Sequence, residues 1–412
     1  MKSSSPPPLP EPPALRGDAS MLTRRFGKEV VNYYSGTLLN RYSFLRSDSR
    51  FLASAAASSA ARFIVLSNLG PLIQDKRRLA HLTFEDVRPV IGSAPFALSD
   101  ADAIKDFDSS HKTPLVLFLG TLDGDGAVDL ETSNHGTIKA QPYFAVDATP
   151  KGPMADAIAS FLSDQEAKGF SIQTDARSMT LGPEAASMFA QARSMMDWNV
   201  RNPFCAGCGC PNLSVEAGYK RVCPPTDRKG SSESHPREDC PTRHGVSNVC
   251  FPRSDPTMIA AVVSADGQRI LLGRQARYPP HWYSTLAGFL EPGESVEEAV
   301  RREVWEEAGV KVGRVVIHST QPWPYPSTLM LGAIAQALPG GEEITLNDKE
   351  LEGAKWFTID EVREALKETT PLGDTTSRGE KNDRLRVPPP TAIANRLMTA
   401  VVEGFLTGIA KI

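Results

Sequence analysis

The sequence predicts an α+β chain in three parts: an N-terminal domain of mixed strands and helices, a small cysteine-rich ribbon, and a C-terminal domain built on a sheet and a capped helix. Three observations predict it. Strand-like and helix-like stretches alternate from about Thr23 to Asn202, all six cysteines fall between residues 205 and 250, and a strand-and-hairpin pattern from residue 258 leads into an amphipathic helix ending near residue 308. The 412 residues, 41% hydrophobic and 23% charged, suffice for two to three domains with a large core. A net charge of −4 gives no general attraction to nucleic acid or anionic membrane, which argues against a dedicated nucleic-acid binder. No apolar run approaches ~18 residues, and the first twenty lack a signal peptide's apolar core. The expectation is an intracellular chain with no membrane segment, cytoplasmic unless an address is found.

Residues 1–22, with PPPLPEPP, are too rich in proline and too poor in bulky apolar residues to fold alone, and read as a disordered tail. In the N-terminal domain, 23–202, residues 62–69 and 114–119 read as apolar strands, the second followed by a turn at Asp123 to Gly126. Residues 154–162 and 183–198 have helical spacing, and no catalytic constellation stands out.

Residues 203–250 form the ribbon. Cys205-x-x-Cys208 is a metal knuckle, Cys223 follows after fourteen residues, and Cys240 closes a Cys₄ tetrahedron. Either spare thiol, Cys210 or Cys250, could stand in for Cys240. An intracellular chain is a poor setting for disulfides, so structural Zn²⁺ is the expected use of these cysteines. Residues 224–237 read as a polar loop inserted at the ribbon tip, and a binding role for the ribbon is the rival to a structural one.

In the C-terminal domain, 251–409, residues 258–264 read as a buried strand, Asp266-Gly267 as a hairpin turn and 269–273 as its partner. The stretch GFLEPGESVEEAVRREVWEEAGV, 288–310, follows. Ser295 with Glu298 three residues on is a capping box, and Gly309 suits a left-handed exit, so the helix spans 296–308. Val296, Val300, Val304 and Ala308 make an apolar stripe, beside which Glu303, Glu306 and Glu307 share one face. Like charges at i,i+4 repel by a few tenths of a kcal/mol per pair, so a cation is expected there. Hard divalent ions bind such carboxylates together with substrate phosphates.

The same stretch resembles the signature of the Nudix hydrolases at every specified position: Gly288, Glu294, Arg302, Glu303, Val304, Glu306, Glu307, Gly309 and Val310. The resemblance implies a Nudix α/β/α sandwich, preceded by a zinc ribbon and an N-terminal α+β domain, that hydrolyses a nucleoside diphosphate linked to another moiety. It implies Mg²⁺ or Mn²⁺ held by the catalytic Glu303, Glu306 and Glu307, by the backbone oxygen of Ala287, and by Glu350, with Glu352 as the alternative.

Thr320 to Thr328 is similar to the SQPWPFPxS sequence of the NADH pyrophosphatase subfamily, with threonine for serine at the first residue and the last and tyrosine for phenylalanine. This implies substrate contacts from Gln321, Pro322, Trp323, Pro324, Tyr325, Pro326, Ser327 and Thr328, joined by Ala394 of a final helix. It also implies that Phe251 and Phe289 stack on nucleotide rings, though without the resemblance both phenylalanines read equally well as core. Asn32 to Arg41 is similar to the subfamily's N-terminal domain, whose role there is structural and in homodimer formation.

The implied reaction is attack of a metal-activated water on the pyrophosphate of a small dinucleotide, NAD(H), giving AMP and nicotinamide mononucleotide (NMN or NMNH). ADP-ribose and the NAD cap of RNA are alternative substrates. A non-enzymatic zinc-ribbon scaffold would be expected to have lost a box glutamate or to carry a basic face, and the chain does neither. The last residues, Ala410-Lys411-Ile412, are similar to the Ser-Lys-Leu peroxisomal signal, so a peroxisomal address is expected from 410–412.

Overall fold

The computed structural model describes residues 7–12, 15–175, 179–245, 247–347, 349–367 and 384–404. The peroxisomal-type tripeptide lies outside the described residues, as does most of the polar stretch before residue 384. Within the expected tail, Pro7 and Pro10 are buried, and Pro10 fills the space a Cβ on Gly36 would need. That part of the tail is packed.

The N-terminal domain runs α1 (Met21–Phe26), α2 (Ser49–Ala57), β1 (Arg62–Ser67), β2 (Gly70–Asp75), β3 (Arg78–Leu79), α3 (Phe84–Ile91), α4 (Asp100–Lys105), β4 (Val116–Leu122), β5 (Val128–Glu131), β6 (Thr137–Asp147), α5 (Ala155–Ala167), β7 (Ser171–Ile172) and α6 (Pro183–Arg201). The sheet order is β3-β2-β1-β6-β4, with β5 on β6 and β7 on β2. Alternating residues of β1 face opposite cores, Ile64 and Leu66 toward α6 and Phe63 and Val65 toward α2, α3 and α5. The central strand β6, which the sequence analysis did not pick out, contains Pro142. Pairing with β1 begins one residue later, at Tyr143, so the missing N–H removes no bond there.

The ribbon carries two hairpins, β8 (Leu213–Val215) with β9 (Lys220–Val222), and β10 (Thr226–Asp227) with β11 (His235–Pro236). The second is the inserted stretch, and it is docked rather than loose. Asp227 accepts the Ser109 N–H at 2.9 Å, Asp108 accepts the Gly230 N–H at 2.9 Å, and Arg228 donates its N–H to the Phe107 carbonyl at 3.0 Å.

The last domain runs β12 (Asp255–Val263), β13 (Arg269–Arg274), β14 (Leu286–Phe289), α7 (Val296–Ala308), β15 (Val312–Trp323), β16 (Thr328–Ala337), β17 (Gly353–Thr358), α8 (Ile359–Lys367) and α9 (Ile393–Val402). Its sheet order is β15-β16-β12-β13-β17, with β14 on β12. Met258, Ala260 and Val262 face α7, while Ile259, Ala261 and Val263 face α8 and α9. This is the expected α/β/α sandwich. No helix among the described residues is long and apolar enough to cross a membrane.

Candidate active site

Helix α7 starts and stops as its sequence dictates. The Ser295 hydroxyl accepts the Glu298 N–H, the Glu298 carboxylate accepts the Ser295 N–H at 2.8 Å, and Gly309 exits at φ 72°. Val300, Val304 and Ala308 are buried against the sheet, which turns the neighbouring glutamates toward β14. There Glu303 lies so close to Gly288 that a Cβ would overlap its carboxylate. Only glycine lets the strand pass.

The three glutamates do not share one solvated face. Glu307 is 2% exposed, Glu303 is mostly buried, and the Glu306 side chain is 40% exposed. Arg302 ties the cluster together. Its guanidinium donates to both oxygens of Glu294 (2.6 and 2.9 Å), to Glu303 (3.0 Å), to Glu306 (2.9 Å) and to the Phe289 carbonyl (2.9 Å). Arg302 and the Glu291 N–H hold the Glu294 carboxyl down to about 2. Burial pushes the Glu303 carboxyl above its ordinary range, Arg302 opposes this, and the charges of Glu306 and Glu350 push it further up. Glu350 therefore lies beside the cluster, whereas Glu352 is paired with Arg274. A half-buried carboxylate crowded by like charges fits a hard divalent cation, which would relieve that crowding.

Sheet register gathers the other expected site residues at one end of the sandwich. Thr257 pairs with Phe289 on one side and Met330 on the other, and Asp255 pairs with Thr328, while Trp323 faces Thr328 across the β15–β16 hairpin. Ala287 is in β14, and Phe251 leads into β12. Phe289 is 60% exposed and Phe251 38% exposed, so neither ring is core. Not all the expected contacts are open. Pro324, Thr328 and Ala394 are buried, and Gln321 is buried with both ends of its amide engaged. Trp323 and Tyr325 pack against Tyr34 of the N-terminal domain, and Arg193 of α6 stacks over Tyr325 and donates to the Pro324 carbonyl at 2.7 Å. Pro326 and Ser327 stay accessible.

Sequence reasoning missed the fork made by Arg302, although its spacing of four from Glu306 and eight from Glu294 was there to be read. It also missed that Tyr34 and Arg193 reach this segment, contacts made across 291 and 131 residues of sequence.

The ribbon brings Cys205, Cys208, Cys223 and Cys240 together, with all four sulfurs within 4.8 Å of one another. Cys205 and Cys240 are 3.6 Å apart, Cys208 and Cys223 3.5 Å. Sulfurs at about 2.3 Å from a tetrahedral zinc stand about 3.8 Å apart, so the set fits that ion. Cys210 and Cys250 are not in it. The Thr242 hydroxyl lies 3.2 and 3.1 Å from the Cys205 and Cys240 sulfurs, and Arg243 donates to Cys223 at 3.4 Å, an outer shell suited to thiolates.

Two family descriptions match the chain: "NUDIX domain" over residues 255–376 and "NADH pyrophosphatase-like rudimentary NUDIX domain" over residues 60–198. The chain is 36% identical over 389 residues to a Macaca fascicularis protein named NAD-capped RNA hydrolase NUDT12, a match covering 90% of this chain and 73% of that one. It is 33% identical over 374 residues to a Schizosaccharomyces pombe NAD-capped RNA hydrolase, covering 89% and 92%. It is also 35% identical over 266 residues to the Mus musculus protein named NAD(P)H pyrophosphatase NUDT13, mitochondrial, covering 64% and 68%.

Proposed function

We propose, since this chain belongs to the Nudix hydrolase family and carries its NADH pyrophosphatase-like N-terminal domain, that it hydrolyses the pyrophosphate of NAD(H) to AMP and nicotinamide mononucleotide. The observation that carries this reading is the meeting, at one sheet end, of the carboxylate cluster, the exposed Phe289 ring and the Pro322–Pro326 segment. Glu303, Glu306 and Glu307, with Glu350 and the Ala287 carbonyl, would hold Mg²⁺ or Mn²⁺. Bound there, the ions would neutralise phosphate charge and make a water acidic enough to attack phosphorus. Arg302 ties Glu303 and Glu306 together, and Gly288 leaves room for Glu303. Phe289 and Phe251 offer ring faces to the substrate's bases, with Pro326 and Ser327 at the rim. The four cysteines would hold a structural Zn²⁺.

An NAD-capped RNA presents the same pyrophosphate, and two of the relatives are named for that substrate. We include it in the substrate range. The test is chromatographic separation of products from NADH, ADP-ribose and NAD-capped RNA at matched Mg²⁺ or Mn²⁺. NADH should give AMP and NMNH with a higher kcat/KM than ADP-ribose, which lacks the nicotinamide ring, and each tenfold of preference needs only about 1.4 kcal/mol. Equal or better turnover of ADP-ribose would remove the substrate assignment and keep the Nudix chemistry.

Two further readings belong to the proposal. The chain forms the subfamily's homodimer, which a solution mass of one chain would disprove. Its Ala410-Lys411-Ile412 acts as a peroxisomal import signal; a fluorescent carrier bearing this tail should enter peroxisomes, and a diffuse cytosolic signal would end the idea.

A further inference from the structure

The last turn of β15 is held by a three-residue strap from the far end of the chain. Asn32 donates its side-chain amide to the Ser319 hydroxyl (3.0 Å) and the Thr320 carbonyl (2.9 Å). Tyr33 offers its carbonyl to the Gln321 amide at 2.9 Å. Tyr34 sets its ring edge-on to Trp323 and Tyr325, with centroids 5.9 and 6.2 Å away, and its hydroxyl lies 3.2 Å from that of Tyr325. Strap and strand run in step across a sequence separation of 287 residues.

Gln321 is 1% exposed and commits its polar atoms to backbone. Besides Tyr33, its amide nitrogen donates to the Thr391 carbonyl at 2.9 Å, and its oxygen accepts the Ile393 N–H at 2.9 Å. Two carbonyls and one N–H fix which end of the amide is which. Ile393 opens α9, whose N-cap residue, Ala392, makes no side-chain capping bond. Gln321 therefore caps α9 from another strand, meeting one of the first-turn N–H groups that a helix leaves unsatisfied. The same helix carries Ala394 and belongs to the core against which Ala287 of β14 packs.

We propose that Gln321 is a positioning residue: the joint through which the N-terminal strap holds the Pro322–Pro326 wall and the start of α9 in one fixed geometry. This rests on the reading that the wall borders the substrate. Gln321 is then not a substrate contact, since its burial and its three backbone bonds leave it nothing to offer a ligand. The N-terminal domain, through Asn32 to Tyr34, sets substrate affinity from outside the catalytic domain.

Steady-state kinetics on the full-length protein test this with Gln321→Met, which keeps the volume and removes all three bonds, and Asn32→Ala, which loosens the strap at the joint while leaving the three bonds of Gln321 in place. Gln321→Met should raise the KM for NADH about tenfold with kcat within about threefold of wild type, because a misplaced wall weakens binding and orientation. Asn32→Ala should move KM in the same direction by less. The double variant should be no worse than Gln321→Met alone, since both act through one joint. A collapse of kcat at unchanged KM in Gln321→Met would put Gln321 in the reaction itself and overturn the proposal, as would additive effects in the double variant. If Gln321→Met does not fold, Asn32→Ala and Tyr34→Phe decide, and an unchanged KM in both overturns it. Each variant is compared with wild type on whichever pyrophosphate substrate wild type turns over best, so a preference for ADP-ribose would sink the substrate assignment and leave this test standing.

Discussion

Glu307→Gln should lower turnover by at least about 100-fold, given that losing even the outer partners of metal ligands commonly costs 10–100-fold. The fold should survive. Glu307 is buried on α7 next to Val304 and Ala308, and glutamine has the same shape without the charge. Because the substitution keeps the packing of that side chain, the thermal midpoint of the metal-free protein should hold within a few degrees. The measurement is kcat at saturating Mg²⁺ or Mn²⁺ together with the unfolding midpoint. Turnover within about threefold of wild type in a folded variant would mean that the glutamates are ordinary charges with no part in the chemistry.

The second large effect belongs to the ribbon. Protein purified without chelator should contain one zinc per chain, and Cys240→Ser should lose it, while Cys210→Ser and Cys250→Ser keep it. Cys240 is fully buried, and with Cys205 and Cys223 it forms a small core that holds no other apolar residue among the described residues. Structural zinc contributes about 10–16 kcal/mol in isolated zinc-finger peptides, so its loss should unfold the base of the ribbon locally and open the chain around the cysteines, outside the docked hairpin, to protease. Zinc retained in Cys240→Ser, or lost in Cys210→Ser or Cys250→Ser, would redraw the ligand set.

What the sequence made legible was what depends on near neighbours. The bounds of α7, its capping box and its left-handed glycine are written within a few residues of each other, and the structure reproduces them from Val296 to Ala308. Cysteine spacing likewise picked out Cys205, Cys208, Cys223 and Cys240, and these are the four whose sulfurs the structure brings together. The partner of Glu352 was not legible, because only the fold brings Arg274 onto it. The burial of Gln321 was hidden for the same reason, since two of its partners, Thr391 and Ile393, lie 70 and 72 residues away and the third, Tyr33, lies 288. Strand β6 was not picked out either, and it carries a proline that, in a one-dimensional reading, argues against a central strand.

The docked hairpin at the ribbon tip has a consequence for how the protein comes apart. Asp227 is buried against Arg237, and burial alone would raise its pKa, but hydrogen bonds from Ser109, Arg237 and the Lys229 amide outweigh that and bring it down to about 2. A carboxyl depressed in the fold contributes stability that is fully present above its unfolded value of about 4 and is lost as the pH falls toward 2. With the proposed zinc in place the ribbon is moored twice, by its cysteines at the base and by a carboxylate at its tip. A chelator at neutral pH should free the base while the tip stays berthed on residues 107–110. Strong acid should cast off both, because protons compete with zinc for thiolates as well as filling the carboxylate. The order in which this protein sheds its parts is therefore written in the chemistry of its two moorings.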